Sequence, residues 1–123
     1  MAVFKRDLIG VQKVSERSGS LTIDGGGTLT VDLSQGTTFF VHLTAAITDI
    51  VTTNVPTGSA SSYTLFFSAD GTPRTITWPT EYKWPGATAP TVTPASQSID
   101  VFSFISLDAG DTWHGFTGAQ DLR

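Results

Sequence analysis

Any chemistry in this chain would come from two histidines, eleven carboxylates and a set of aromatic residues around one glutamate, because cysteine is absent. His42 and His114 lie far apart, and neither has a second histidine beside it. They could ligate a metal only if the fold brought them to a carboxylate. Nothing in their spacing requires that, so they read as one half-exposed strand residue and one turn residue, and no metal is expected. Asp100, Asp108 and Asp111 could gather around calcium, but the dense ligand pattern of a calcium loop is missing. Asp108-Ala-Gly-Asp111 reads instead as a turn whose aspartates bond their own backbone. Glu81, next to Tyr82 and close to Trp84, has the surroundings of a sugar site. Glycoside hydrolysis needs a second, suitably separated carboxylate, and no motif ties one to Glu81. No serine sits in a Gly-x-Ser-x-Gly elbow. Gly25-Gly26-Gly27 precedes a strand pattern and not a helix, which argues against a phosphate loop. The expectation is a protein that is not an enzyme and has no cofactor.

The aromatic residues allow a binding role. Trp78, Tyr82, Trp84 and Trp113 could stack on sugar rings if exposed, or plug one end of the fold if buried. We assign Trp78 and Trp113 to burial and keep Tyr82, Trp84 and Pro85 as a possible ligand-contact loop. The Trp-Pro bonds at 78–79 and 84–85 are open to either isomer.

The elements that would position these residues are strands. Leu21 and Ile23, then Leu29, Val31 and Leu33, alternate about Gly25-Gly26-Gly27, which reads as a hairpin. Phe39, Val41 and Leu43 point one way from the next strand, and Phe40 and His42 the other. Residues 45–53 fit a helical turn or an irregular strand, and their threonines favour strand. Tyr63, Leu65 and Phe67 alternate up to an Asp70-Gly71 hairpin signal, with Arg74–Trp78 as the return strand. Four prolines between Pro79 and Pro94 forbid a central strand, so that stretch reads as a long ordered loop and a candidate contact surface. Ser98–Leu107 is apolar on both faces, with Ile99, Val101, Ile105 and Leu107 assigned to the core and Phe102 and Phe104 to the opposite side. Seven or eight short strands predict an all-β fold, an antiparallel two-sheet β-sandwich of immunoglobulin-like or jelly-roll type. No internal repeat suggests a β-helix.

The 123 residues make one domain, read as an N-terminal arm (1–19) and a sandwich (20–123). No segment is apolar enough to span a bilayer, and the start has no continuous hydrophobic run of the signal-peptide kind. Residues 1–17 carry four cations against Asp7 and Glu16, whereas the remainder carries Arg74, Lys83 and Arg123 against nine carboxylates. Such a body is a poor match for nucleic acid. The basic head reads equally as a frayed terminus or as a docking arm, with Phe4, Lys5, Arg6, Leu8 and Ile9 as its contacts.

The run Thr75-Ile-Thr-Trp-Pro-Thr-Glu-Tyr-Lys-Trp-Pro-Gly86, answered by Ser98-Ile-Asp-Val-Phe-Ser-Phe104 and Asp108-Ala-Gly-Asp-Thr-Trp-His-Gly115, resembles the β-structured domain of tailed-bacteriophage virion proteins. The likeness extends from about Leu29 to Phe116. It implies a virion part and no particular chemistry, on the capsid surface or tail, made in the host cytoplasm. A capsid decoration (cement) protein, a homotrimer that binds the major capsid protein and stabilises the head shell, is the first expectation. A receptor-binding tail-fibre tip or short tail component, docked to tail proteins and recognising host surface glycan, is the alternative. Neither implies nucleic acid or a membrane as partner. For the interface between copies, the residues opposite the assigned core are the candidates: Phe40, Phe102 and Phe104.

Overall fold

A computed structural model describes residues 15–123, so the proposed arm contacts Phe4, Lys5, Arg6, Leu8 and Ile9 lie outside the described residues. The fold is all-β. Its strands are β1 (Ser18–Leu21), β2 (Thr28–Asp32), β3 (Thr38–Leu43), β4 (Asp49–Thr53), β5 (Ser61–Ala69), β6 (Tyr82–Lys83), β7 (Ile99–Ser106) and β8 (Trp113–Leu122). A six-stranded sheet runs in the order β1-β3-β5-β7-β8-β6, and β2 and β4 form a second sheet.

The expected antiparallel pairing holds for β5–β7 and β7–β8, whereas β1–β3, β3–β5, β2–β4 and β6–β8 are parallel. From β1 to β5 the chain alternates between the two sheets, so each parallel neighbour is reached through a strand of the other sheet. This is a coil, not an immunoglobulin-like or jelly-roll topology, and the hairpin expected at Gly25–Gly27 does not form. The turns are set by bonds to the neighbouring coil. Thr37 donates its backbone N–H to the Arg17 carbonyl (3.1 Å), Thr48 to Gly27 (2.8 Å) and Leu33 to Thr53 (3.0 Å). Asn54 Nδ2 donates to Asp32 Oδ1 at 2.8 Å, and that oxygen also receives the backbone N–H and hydroxyl of Ser34. These bonds hold the Asp32 carboxyl below its ordinary pKa.

After β5 the Asp70-Gly71 turn does not return the chain antiparallel. Asp70 Oδ2 pairs with Arg74 Nη2 at 2.7 Å, and the following residues lie against the second sheet. There Ile76 makes a parallel bridge to Ile47, through Ile47 N–H to the Thr75 carbonyl (3.0 Å) and Thr77 N–H to the Ile47 carbonyl (2.8 Å).

Both sheets contribute to one hydrophobic cluster, with Leu29, Val31 and Ile50 from the small sheet and Phe39, Val41, Leu43, Tyr63, Leu65 and Phe67 from the large one. The face assignment on β7 is reversed from expectation. Phe102 and Phe104 are fully buried, whereas Ile99, Val101 and Ile105 face outward and Leu107 is 75% exposed.

Gly27 shows how tightly the coils stack. Its φ is +86°, and an added Cβ would lie 2.8 Å from Thr48 Oγ1 and 3.1 Å from the Ala46 carbonyl. Gly25 has open space around it. Gly27→Ala is therefore expected to destabilise the fold by roughly 1–3 kcal/mol, and Gly25→Ala by no more than about 0.5 kcal/mol, as read by chemical denaturation.

Candidate interaction surface

The proline loop is fastened to the sheet by aromatic packing. Trp84 meets Phe102 and Phe104 with ring centroids 6.0 and 5.6 Å apart, Tyr82 meets Phe104 at 5.3 Å, and Trp78 meets Trp84 at 4.9 Å. Gly115 is required beneath them, because a Cβ there would come within 3.0 Å of Trp84 and 3.1 Å of Phe104. The hydroxyls of Tyr63 and Tyr82 share a buried hydrogen bond of 2.5 Å. Burial pushes both phenols above their ordinary pKa. Trp113 sits in the same cluster, T-shaped on Tyr63 at 4.9 Å.

The expected ligand-contact loop is therefore corrected. Tyr82 and Trp84 are buried, and of the three only Pro85 is exposed. Neither ring is offered to a sugar. Trp113 is buried as assigned, and Trp78 is half-buried against the core. All peptide bonds of the described residues are trans, including both Trp-Pro bonds.

The aspartates are structural and separate. Asp100 is buried in β7, where its carboxylate accepts the backbone N–H groups of Thr93 (2.7 Å) and Asp121 (2.8 Å) and Gln120 Nε2 (3.1 Å). It ties the proline loop to the end of β8. Asp108 accepts the Thr112 backbone N–H and the Ser106 hydroxyl, both at 2.8 Å, and those bonds lower its pKa. Asp111 donates its backbone N–H to the Asp108 carbonyl, so the turn bonds itself as its sequence implies. His42 on β3 and His114 on β8 are separated by β5 and β7. Among the described residues no three His, Asp or Glu side chains come together as a metal site.

The arrangement does produce an outward sheet face whose strand rows carry no charge; at its corner the Glu16 carboxylate accepts the Thr38 hydroxyl at 3.2 Å. Strand register places Phe40, Phe66 and Val101 in one row, flanked by Thr38, Thr64, Ser103 and Phe116 on one side and by His42, Ser68, Ile99 and Leu122 on the other. A fourth row holds Ser62, Ile105 and His114, and Lys83 on β6 stands at its rim. No Asp, Glu, Lys or Arg lies in these rows from β3 to β8. Ile105, Phe116 and Leu122 are 40%, 44% and 47% exposed. Thr64 and Ser103 satisfy each other's hydroxyls at 2.9 Å. Of the residues expected to form an interface between copies, Phe40 lies on this face; Phe102 and Phe104 are corrected to core. The face holds instead Phe66, Ile105 and Phe116, which the sequence pattern did not single out.

Comparison of the chain with protein-family models, curated proteins and solved structures found no match. No helix among the described residues is long and apolar enough to cross a membrane.

Two outcomes test this division between inside and outside. Phe104→Ala is expected to cost about 3–5 kcal/mol of stability, and Ile105→Ala less than about 1 kcal/mol. The chain's two tyrosines are Tyr63 and Tyr82. Their folded pKa values are raised, so the stability they contribute is complete below the free phenol value of 10.0 and is lost as pH climbs above it. An absorbance titration should show no tyrosinate in the folded protein just above pH 10, and both tyrosines should ionise together as it unfolds.

Proposed function

We propose that this protein is a structural component of a bacteriophage virion, a capsid decoration protein that assembles as a homotrimer and seats on the major capsid protein to stabilise the head shell. The observation that carries the reading is the outward face of the six-stranded sheet. It is broad, uncharged in its strand rows from β3 to β8 and apolar along its centre, with charge only at its margins at Glu16 and Lys83 among the described residues, a combination that marks protein interaction surfaces. The described residues outside it include ten carboxylates and four Arg or Lys, so copies repel one another except across this face. Cyclic symmetry lets one such face serve every subunit. In this reading the two sheets act as a stiff sandwich-like block, with the outer sheet turned towards the three-fold axis and the acidic remainder available to the shell and solvent. The likeness of Thr75–Gly86, Ser98–Phe104 and Asp108–Gly115 to virion domains supports the same assignment. The tail-fibre alternative called for exposed aromatic rings at Tyr82 and Trp84, and the proline loop keeps both buried.

Ile105→Glu combined with Phe116→Glu places charge on two exposed positions of the face. Light scattering should report a trimer for the unchanged protein and a folded monomer for the double variant. A monomeric unchanged protein, or a double variant that remains trimeric, contradicts the reading.

A further inference from the structure

A second surface lies on the opposite sheet and is independent of the face just described. Residues 74–78 continue the β2–β4 sheet by a single rung, the Ile76–Ile47 bridge. In that parallel bridge the Thr75 carbonyl and the Thr77 N–H turn towards Ile47. Because backbone groups alternate sides along a strand, the N–H and carbonyl of Ile76 itself turn away from Ile47. Neither has a hydrogen-bond partner among the described residues. They face a groove of about 450 Å³ whose walls are residues 73–78 on one side and 89–94 on the other. Pro73, Ile76, Trp78, Pro90, Val92 and Pro94 make it largely apolar.

The far wall is held away from the edge by its own bonds. Thr93 N–H is taken by Asp100, and the Thr91 carbonyl by Gln120 Nε2 at 2.6 Å. No backbone hydrogen bond joins the two walls among the described residues. Among the described residues lining it the cation is Arg74, which is neutralised by Asp70. An open strand edge with a free donor and acceptor, beside an apolar trough, has the chemistry of strand addition. Pro73 and Pro79 lack an N–H and bracket the usable edge to residues 74–78.

We propose that this groove binds an extended, uncharged peptide segment of a protein partner, which adds as a strand to residues 74–78 and places alternate apolar side chains between Ile76 and Val92. Backbone pairing at Ile76 would supply register. The apolar walls would select for small aliphatic side chains at every second position.

The test uses the full chain and a capped, uncharged peptide, Ser-Val-Thr-Val-Thr-Val-Ser, followed by amide hydrogen exchange resolved by NMR. Binding should slow exchange at the Ile76 N–H by at least about tenfold and shift the resonances of residues 74–78 and 89–94. A version of the peptide N-methylated at its central residues should lose the effect. Ala89 is exposed on the groove wall, so Ala89→Trp should fill the trough and abolish binding while leaving the spectrum elsewhere unchanged. Ile105→Glu with Phe116→Glu should bind the peptide normally, which separates this site from the outer face. Three results would overturn the proposal: no binding at millimolar peptide, perturbation centred on β1 or on the outer face, or Ile76 already protected before peptide is added, which would place another part of the chain on the edge.

Discussion

Burial of Phe104 among Tyr63, Tyr82 and Trp84 is the contact on which the rest of the molecule depends. Side chains of a strand alternate with a period of two, so turning Phe104 inward also turns Phe102 inward and sends Ile99, Val101, Ser103 and Ile105 out. β7 lies between β5 and β8, and its orientation sets which row of each neighbour reaches solvent. Gly115 makes the choice possible by leaving room for the Trp84 ring over Phe104. The proline loop then closes over the aromatic cluster, with Asp100 fastening its far end. One packing decision thus produces both a filled interior and an uncharged exterior face.

The parallel coil explains why that face can be broad without regular β-hairpin edges. Each of β1, β3 and β5 is laid beside the last after a pass through the opposite sheet, so successive strands extend one surface. The stacked turns at Gly27–Thr48, Arg17–Thr37 and Asp32–Asn54 set the rise between coils by hydrogen bonds that no side chain on the outer face needs to supply. Asp24 and Asp32 serve these turns by accepting neighbouring backbone N–H groups. The sheet faces remain free for apolar and hydroxyl side chains.

Much of this was legible in the sequence. The inward rows of β2, β3 and β5 follow from simple alternation, and the prolines between 79 and 94 announced a loop with aromatic residues at its base. Two features were not legible. Strand periodicity is the same in parallel and antiparallel sheets, and the turn partners that distinguish them, such as Arg17 with Thr37 or Asp32 with Asn54, are about twenty residues apart. β7 is apolar on both sides, so alternation alone cannot orient it. The clue lay in Asp100, which shares the buried face with Phe102 and Phe104. An inward aspartate is tolerable only because Thr93, Gln120 and Asp121 all donate to it. Those donors are brought together by the fold, so the sequence alone does not show that Asp100 belongs inside. The half-buried Phe66 and the exposed Phe116 escape a sequence reading for the same reason: their role depends on strand register, not on local pattern.

The outer face is proposed to join copies of this protein on a phage head. The most direct measurement is its copy number relative to the major capsid protein in purified particles, by quantitative mass spectrometry. A ratio close to stoichiometric is expected of a protein that covers the shell. A handful of copies per particle would place it on the tail and contradict the assignment, and its absence from particles would remove it from the virion altogether.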